Sequence, residues 1–342
     1  MTASEITVHT GAPDAATARD LVARTAEADG FEALSEQFLL GLDDARLGHR
    51  HLTVTRDGAL VGLAAADGES AELVVDPDAR RAGVGRALVA KLGPIPLWAH
   101  GDLEPARAFA RELGYGAQRE LLVLAVAGET LSDAASVSFS APGVAEVGRE
   151  GFLALDLAES ERRFGRDAVL DAWLKANNEA FSWHPEQGSW DRERLERAME
   201  AEWFEAGDVW LLWGGGDSVT AAGDKGIAAG DKGIAAGDKG IAAGDKGTEV
   251  SVPPLAGFHW TKWHGGPAGE AVGEVYVIGL ASDFRGRRLG DPLLEVGLEH
   301  LVRRGADRVI LYVEADNEAA VKAYRRRGFT EAERHVVYGP AE

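Results

Sequence analysis

One arrangement occurs twice in this chain: an apolar, β-rich run, a short polar turn, and a loop of arginine and glycine that opens an amphipathic helix. The first copy spans residues 73–88 and contains Arg80-x-x-Gly83-x-Gly85, and the second spans residues 273–302. Amide groups left unpaired at a helix start, with the positive end of the helix dipole behind them, attract phosphate groups. The sequence therefore predicts two loops that bind a pyrophosphate, each between a strand and a helix.

A single strand, turn and helix with a few arginines would suit an ordinary surface element equally well, because short glycine loops are weak signals. The two copies, however, share more than the loop. Each is followed by a second helix that stops at glycine plus an aromatic residue, Gly114-Tyr115 in one case and Gly328-Phe329 in the other. This repetition indicates an internal duplication.

The length of 342 residues, with 45% hydrophobic and 27% charged residues, allows two domains that each bury a core. We expect a first domain over residues 1–130, a linker over 131–150 that is rich in Ser, Ala, Gly and Pro, and a second domain over 151–342. Strand and helix patterns are interspersed along the chain. We expect an α/β fold with a mixed sheet. The predicted helices cover 15–28, 37–42, 105–113, 168–180, 192–204, 292–302 and 317–327, and the predicted strands cover 51–55, 60–66, 73–75, 121–126, 209–213, 255–263 and 275–280.

A low-complexity insert interrupts the second domain at residues 218–248, where Ala-Ala-Gly-Asp-Lys-Gly-Ile repeats with a period of seven. Two glycines and one large apolar residue per repeat cannot form the seam of a coiled coil. We therefore expect a disordered expansion of a loop between two strands, which costs little because loop-closure entropy grows only logarithmically. A linear tract that binds a partner is the alternative.

Composition excludes several kinds of chemistry. The chain has no cysteine, so it has no disulfide, thiolate metal site or cysteine acyl-enzyme. The histidines are scattered without the spacing of metal ligands, and we expect no metal. A formal net charge of -20 disfavours nucleic acid and anionic membrane as partners. With no apolar run long enough to span a bilayer and no signal peptide at residues 1–15, we expect a cytoplasmic protein. We also expect a monomer with small-molecule substrates.

The repeated pattern, Arg-x-x-Gly-x-Gly after a strand and a later helix that ends at Gly-Tyr or Gly-Phe, resembles the GCN5-related N-acetyltransferases, here as two tandem domains. That resemblance implies acetyl-CoA as the acetyl donor. The C-terminal half is similar to the mycothiol synthase family, tandem enzymes that acetylate the cysteinyl amine of Cys-GlcN-inositol (desacetylmycothiol). The segments that carry this similarity are residues 177–181 (Asn-Asn-Glu-Ala-Phe), 184–188 (His-Pro-Glu-Gln-Gly), 258–262 (Phe-His-Trp-Thr-Lys), 273–277 (Gly-Glu-Val-Tyr-Val) and 311–317 (Leu-Tyr-Val-Glu-Ala-Asp-Asn).

The resemblance also implies which residues contact acetyl-CoA. In the first copy these residues are Leu73, Val74, Val75, Arg81, Ala82, Gly83, Val84, Gly85 and Arg86. In the second copy they are Ile278, Gly279, Leu280, Arg285, Gly286, Arg287, Arg288, Leu289, Gly290, Asp291, Asn317, Glu318, Ala319, Ala320, Val321 and Lys322. The backbone amides of residues 278–280 would hold the pantetheine arm and polarise the acetyl carbonyl.

Acetyl transfer to an amine needs a group that removes a proton from the amine and a group that protonates the departing thiolate. An α-amino group has a pKa of about 7.7 to 8.0, so a carboxylate needs to remove only a modestly acidic proton. By the resemblance Glu274 is the candidate base, directly or through a water, and Tyr324 is the candidate acid. Tyr324 lies in a predicted helix with Asn317 as N-cap and Gly328 after its end. The structural alternatives are a salt-bridged carboxylate for Glu274 and a core tyrosine for Tyr324.

The same resemblance implies contacts with the acceptor substrate for Glu36, Glu186, Lys262, Glu274 and Tyr312. For each of these residues the alternative is a packing role in the core or on the surface.

The first copy matches the second at one of the two catalytic positions and differs at the other. Aligning the two loops places Glu69 opposite Glu274, and aligning the terminal glycines places Ala110 opposite Tyr324. Because alanine has no hydroxyl, the first copy lacks a complete acid and base pair. We therefore predict that it binds cofactor or supports structure without catalysing transfer.

The second loop departs from the motif in one respect, since Arg288 stands where the pattern has glycine. Glycine there permits close approach to phosphate, so Arg288 would crowd the ligand or adopt a strained backbone, although it adds a cation. Asp291 places a carboxylate beside the expected anion. Two other functions stay open on these grounds: acetylation of another amine, such as an aminoglycoside or a peptide N-terminus, and binding of acetyl-CoA without catalysis.

Overall fold

A computed structural model describes residues 6–182, 188–214, 252–265 and 271–341. The chain forms two compact units. The first unit comprises Met1–Leu124, Tyr312–Arg325 and Thr330–Glu342, and the second comprises Ala125–Leu311 and Arg326–Phe329. The predicted insert at 218–248 and the predicted substrate contact Glu186 lie outside the described residues.

The elements of the first part of the chain are, in order, β1 (Val8–Thr10), α1 (Ala15–Asp29), α2 (Glu36–Leu40), β2 (Arg50–Arg56), β3 (Ala59–Ala66), β4 (Ala71–Val75), α3 (Val84–Leu92), β5 (Leu97–Ala99), α4 (Glu104–Leu113) and β6 (Tyr115–Ala127). The later elements are α5 (Gly128–Ala134), β7 (Ser138–Ala141), β8 (Val144–Glu146), β9 (Phe152–Asp156), α6 (Leu157–Phe164), α7 (Arg166–Ala180), α8 (Arg192–Ala198), β10 (Val209–Gly214), β11 (Leu255–Gly265), β12 (Val272–Leu280), α9 (Gly290–Arg303), β13 (Arg308–Glu314), α10 (Glu318–Arg326) and β14 (Thr330–Pro340).

The first unit has a mixed sheet with the strand order β1, β2, β3, β4, β5, β14, β6. β4 and β5 are parallel, whereas β1 to β4 pair in antiparallel fashion and β14 is antiparallel to β5. Leu63 of β3 packs in a cluster with Leu21 of α1, and the next residue, Ala64, packs in a cluster with Leu88 of α3. Helices therefore cover both faces of this sheet, and this is why β3 reads as a continuous apolar run rather than an alternating one.

The second unit has a mixed sheet with the order β13, β12, β11, β10, β9, β8, β7. Only the pairing of β12 with β13 is parallel among the registers of these strands in the described residues. On one face Trp173 of α7 packs with Trp213 and Trp260. On the other face Trp210 packs with Leu293 of α9. Alternating residues of β10 thus face two separate cores.

Three elements differ from the sequence expectation. Residues 131–150, expected as a linker, contain β7 and β8, which pair with each other and join the second unit through β9. These strands are short and rich in small residues, so they have almost no periodic signal. The helix expected over 192–204 ends at Ala198. Finally, the last strand, β14, belongs to the first unit, which local sequence patterns do not reveal.

Within each unit, the strand that precedes the arginine and glycine loop extends beyond the stretch that pairs with its parallel neighbour. The ladder between β12 and β13 runs from Val272–Arg308 to Val275–Leu311, although β12 continues to Leu280. The ladder between β4 and β5 consists of the pair Ala71–Leu97, although β4 continues to Val75. Each strand therefore presents a stretch of one edge beyond its parallel ladder, immediately before the loop.

Candidate active site

The first arginine of each loop is anchored in the same way. In the first unit Nε of Arg80 donates to the carbonyl oxygen of Val75 at 3.2 Å. In the second unit Nε of Arg285 points to the carbonyl oxygen of Leu280 at 3.4 Å. In both cases the acceptor is the last residue of the preceding strand, so this arginine closes the turn back onto the strand. The inferred duplication therefore extends to a side-chain contact.

Both loops also repeat one backbone pattern. After the anchoring arginine, the first loop has positive φ at Arg81 (60°) and Gly83 (87°). The second loop has positive φ at Gly286 (76°) and Arg288 (59°). The strain expected at Arg288 is therefore present, because a side chain in the left-handed region costs roughly 1–2 kcal/mol. Such alternation of backbone signs turns amide groups toward one concavity, the arrangement that binds anions.

The helix starts that follow are free of side-chain caps among the described residues. α3 begins after Gly83 and α9 begins after Leu289, and neither N-cap residue has a capping hydrogen bond from its side chain. Asp291, whose carboxylate raised the question of repulsion with phosphate, is paired with Arg327 at 3.2 Å. Arg327 also binds Glu295 at 2.5 Å. The negative charge of Asp291 is thus partly compensated inside the second unit.

Glu274, the predicted base, lies on β12 directly opposite Lys262 of β11. Both residues are 6% exposed. Oε2 of Glu274 lies 2.6 Å from Nε2 of His264. Glu274 is therefore a buried carboxylate with an imidazole partner, an environment that suits a group that must exchange a proton.

β12 has a bulge next to this site. Trp260 pairs with Val277 and Thr261 pairs with Val275, so Tyr276 is the extra residue of the bulge. The ring of Tyr276 packs against Trp203, with centroids 4.9 Å apart. Bulges are frequent beside active sites because they redirect a side chain, and here the bulge separates Glu274 from residues 278–280, which are predicted to hold the pantetheine arm.

The ammonium of Lys262 lies over aromatic rings rather than in open solvent. Its Nζ is 4.4 Å from the centroid of Trp203 and 5.8 Å from that of Tyr276. Such cation–π contacts hold a cation in place while it is desolvated. Lys262 therefore has a defined position beside Glu274, as a substrate-contacting cation requires.

His264 is a residue that sequence reasoning missed. Lys262 faces Glu274 across the two strands, and His264 is the extra residue of a bulge in β11 between Trp263 and Gly265. The signal was thus the register of β11 against β12, which the sequence alone does not specify. The resulting pair, Glu274 with His264, places a carboxylate and an imidazole in hydrogen-bond contact.

Tyr324, the predicted acid, lies on α10. Oδ1 of Asn317 accepts a hydrogen bond from the amide of Ala320 at 3.2 Å, which confirms Asn317 as the N-cap. α10 ends at Arg326, and Gly328 has φ of 85°, the left-handed conformation expected there. Burial raises the pKa of Tyr324 to about 12, so its hydroxyl keeps its proton at neutral pH.

The predicted residues fall into two sets by unit. The first unit holds Glu36, at the start of α2, and Tyr312, which is 47% exposed, as well as the loop of the first copy and Asn317 to Lys322. The second unit holds Lys262, Glu274 and the second loop. Tyr324 belongs to the first unit.

The carboxylate aligned with Glu274 in the first copy occupies a different environment. Glu69 is exposed, in a turn before β4 whose amides donate to Oδ1 of Asp67. The buried carboxylate of this unit is instead Glu72, three residues later. Ala110, which aligns with Tyr324, is buried in α4.

Two negative findings apply to the described part of the chain. No group of three or more His, Asp or Glu side chains there could hold a metal ion. None of the helices within those ranges is both long enough and apolar enough to cross a membrane.

Two strand, loop and helix units with left-handed loop positions and an early split between parallel strands define the class of acetyltransferases with the GNAT fold. The model of the "Acetyltransferase (GNAT) family" matches residues 238–329. Among solved structures, a tandem GNAT protein from the clavulanic acid biosynthesis pathway matches with a TM-score of 0.61 and 18% identity, covering 99% of this chain and 100% of that one. A GCN5-related N-acetyltransferase from Sphaerobacter thermophilus matches with a TM-score of 0.58 and 19% identity over 97% of this chain and 94% of that one. At these identities the structures show the fold alone.

Sequence relatives narrow the class further. The chain is 46% identical to the mycothiol acetyltransferase of Corynebacterium aurimucosum over 324 residues, 94% of each protein. It is 47% identical to that of Corynebacterium efficiens, over 91% of this chain and 87% of the relative. This chain belongs to the mycothiol acetyltransferase family. It is an N-acetyltransferase, and the expected tandem GNAT fold and family resemblance are confirmed.

Proposed function

We propose that this protein transfers the acetyl group of acetyl-CoA to the cysteinyl amine of desacetylmycothiol, which forms mycothiol. The observation that carries the proposal is the environment of Glu274: a buried carboxylate, 2.6 Å from His264 and opposite Lys262, on the strand that leads into the basic loop. The names of the sequence relatives supply the substrate, and the residues that match that family's substrate contacts are present in both units.

The donor would bind along the second copy. The edge of β12 beyond Val275 has backbone groups that an extended, amide-containing pantetheine arm can pair with, in the manner of an added strand. The amides of the loop and of the α9 start suit the pyrophosphate, and Arg287 and Arg288 add positive charge. Gly286 and Gly290 have open space where a Cβ would stand, so the backbone can be approached closely there.

The acceptor amine must lose a proton before or during its attack on the thioester carbon. We assign this proton to Glu274, directly or through a water, with His264 as its hydrogen-bond partner. The amine nitrogen then forms the new C–N bond as the C–S bond breaks. Lys262, seated on Trp203, would bind an oxygen of the acceptor and would disfavour a second cation close by, which favours the neutral amine.

The leaving thiolate needs a proton, which we assign to Tyr324. Since burial raises the pKa of this hydroxyl to about 12, it stays protonated throughout the range in which the enzyme would work. Changing Tyr324 to Phe should lower kcat by about ten- to a hundredfold, at the low end of general acid catalysis because a thiolate is already a fair leaving group. Wild-type kcat should show no decline attributable to this tyrosine near pH 10.

Acetylation of desacetylmycothiol by purified protein with acetyl-CoA tests the proposal, with glucosamine, an aminoglycoside and a peptide N-terminus assayed in parallel. We expect kcat/KM for desacetylmycothiol to exceed that for the other amines by at least about a hundredfold, since a site built to hydrogen-bond a sugar and an inositol rejects amines that lack them. Higher activity on another amine would replace the proposed acceptor. Binding of acetyl-CoA with no turnover of any amine would support the non-catalytic alternative.

A further inference from the structure

A row of polar side chains, two of them buried and one partly buried, lies in the first unit outside the predicted donor and acceptor contacts. Glu72 on β4 is 2% exposed and His335 on β14 is 7% exposed. His100, directly after β5, contacts both residues. Its Nε2 lies 3.0 Å from Oε1 of Glu72, and its Nδ1 lies 3.2 Å from Nδ1 of His335. Three residues that are far apart in sequence therefore form one hydrogen-bonded row.

The partners of this row determine where its protons lie. The amide of Gly101 donates to Nδ1 of His335 at 3.2 Å, so that nitrogen carries a lone pair and no proton. A proton that lies between the two Nδ1 atoms can then come only from His100. Nε2 of His100 also needs a proton to donate to the carboxylate of Glu72. These contacts fit a row in which His100 donates from Nε2 to Glu72 and from Nδ1 to His335.

Both ends of the row reach residues that we assign to the acceptor. At one end, the other oxygen of Glu72, Oε2, accepts the amide of Ser35 at 2.6 Å. Ser35 is the N-cap residue of α2, and Glu36 is the first residue of that helix. At the other end, the ring of His335 stacks on the ring of Tyr312, with centroids 6.0 Å apart and planes inclined by 29°.

A buried ion pair is seldom the most stable way to fill a core, because desolvation offsets much of its attraction and apolar residues of similar volume serve as well. Its distinctive property is that it holds its partners in one geometry, since any other arrangement leaves a charge unsatisfied. Here those partners are the backbone before Glu36 and the ring of Tyr312.

We propose that Glu72, His100 and His335 form a positioning network that holds Glu36 and Tyr312 for recognition of the acceptor. The network acts through these two residues and takes no part in the chemical step. This assignment rests on the proposed function, because it takes Glu36 and Tyr312 as acceptor contacts. It gives the first unit a role in substrate recognition that does not depend on its own acetyl-CoA loop.

The test is steady-state kinetics of the full-length protein with desacetylmycothiol and acetyl-CoA varied separately. Glu72→Gln keeps an oxygen for the Ser35 amide but removes the charge that balances His100, and it should raise KM for the acceptor about tenfold, the effect of losing one charge-assisted hydrogen bond. KM for acetyl-CoA and kcat should stay within about twofold. Glu69→Gln makes the same change at an exposed turn three residues earlier and should leave all three values unchanged.

A matched pair at His335 separates positioning from packing. His335→Asn retains a hydrogen-bond acceptor near the place of Nδ1, so its KM for the acceptor substrate should stay close to that of wild type. His335→Phe retains a ring but loses the hydrogen-bond acceptor, so its KM for the acceptor substrate should rise. An acceptor KM equal to wild type in both Glu72→Gln and His335→Phe would overturn the assignment. A parallel fall of kcat and thermal stability, with acceptor KM unchanged, would also overturn it, because that result describes a structural role.

Nitrogen-15 NMR of the histidine rings in unliganded wild-type protein provides a test that does not depend on folding of the variants. His100 should show two protonated ring nitrogens, and His335 should show one, at Nε2. A neutral His100 would overturn the network as described. Absence of turnover by wild-type protein would overturn the proposed function and this assignment together, whereas turnover with an unaltered acceptor KM in the variants would overturn this assignment alone.

Discussion

The two arginine and glycine loops have the same backbone conformation, but arginine and glycine occupy opposite positions in them. The first loop places Arg81 and Gly83 in the left-handed region, and the second places Gly286 and Arg288 there. The same alternation of φ therefore survives although glycine and arginine have changed places. The feature that both copies keep is the direction of the backbone amides, and the glycine motif is only the least strained sequence that produces it.

The strands before these loops, in contrast, differ between the two copies. β12 runs from Val272 to Leu280 and carries Glu274 within its length, whereas β4 runs only from Ala71 to Val75 and leaves Glu69 in an exposed turn. Two copies that agree in the donor loop thus differ in their carboxylates. The first unit has Glu72 instead, engaged by His100. The backbone of the loops and the positions of the carboxylates have therefore diverged independently after the duplication.

The largest expected effect is the difference in kcat between a variant of Glu274 and a variant of Glu69, the residue aligned with it. Glu274→Gln should lower kcat by about 10² to 10³, the usual contribution of a general base, because glutamine cannot take the amine proton. Glu69→Gln should lower it by less than about twofold, because Glu69 lies in an exposed turn. Rates of single turnover measured with both variants check this. Equal losses in the two variants would show that the copies contribute equally to catalysis.

The loss of stability in acid can be compared for one buried histidine from each unit. Burial lowers the pKa of His335 to about 4, with the nearby charge of His100 as a second cause, and burial likewise lowers the pKa of His259 to about 4. Since an unfolded histidine titrates near 6.5, the unfolded state binds more protons between these values. Stability contributed by each neutral ring is therefore complete above pH 6.5 and is lost as the pH falls toward 4.

Replacing either histidine with Asn should reduce the decrease in unfolding free energy between pH 7 and pH 4.5 by on the order of 1 to 3 kcal/mol. Denaturant unfolding at the two pH values measures this difference. The groups around His335 are His100, the Gly101 amide, Tyr312 and Glu333, whose Oε2 is 3.8 Å from Nε2. His259 contacts the carbonyl of Leu293. A difference between pH 7 and pH 4.5 as large in both variants as in wild type would contradict these low pKa values.

The smallest effect should come from the loops. Arg288→Gly relieves a left-handed arginine, at roughly 1–2 kcal/mol, but adds freedom to the unfolded chain, so the net gain in stability should be about 0.5 to 1 kcal/mol. Gly83→Ala, at the matching position of the first loop, should lower stability by about 1 kcal/mol. Chemical denaturation of both variants measures the difference. Destabilisation by Arg288→Gly would show that its side chain contributes more than its backbone costs.

Calorimetric titration with acetyl-CoA measures how Arg288 affects binding of the cofactor. If the Arg288 side chain supports phosphate binding, Arg288→Gly should bind acetyl-CoA severalfold more weakly while its unfolding free energy rises. A variant that is both more stable and tighter in binding would show that Arg288 only crowds the ligand.

The sequence by itself determined the local features of this protein. Strand, loop and helix follow one another within about thirty residues, so periodicity, glycine and arginine suffice to predict them, and the N-cap at Asn317 depends only on a residue three positions away. The strain at Arg288 was likewise predictable from residue type in a known backbone pattern. The comparison of the two copies and the family resemblance added the residues to which we assign the chemistry.

Only the tertiary structure decided which distant residues meet. The contact of His264 with Glu274 depends on the register of two strands, and a slip of one residue would turn either side chain to the other face. The row of Glu72, His100 and His335 brings together positions separated by up to 263 residues, since His335 arrives on the final strand. Local sequence preferences act over a few residues, whereas burial of apolar surface selects the pairing of whole strands, and it is that pairing which places these polar groups side by side.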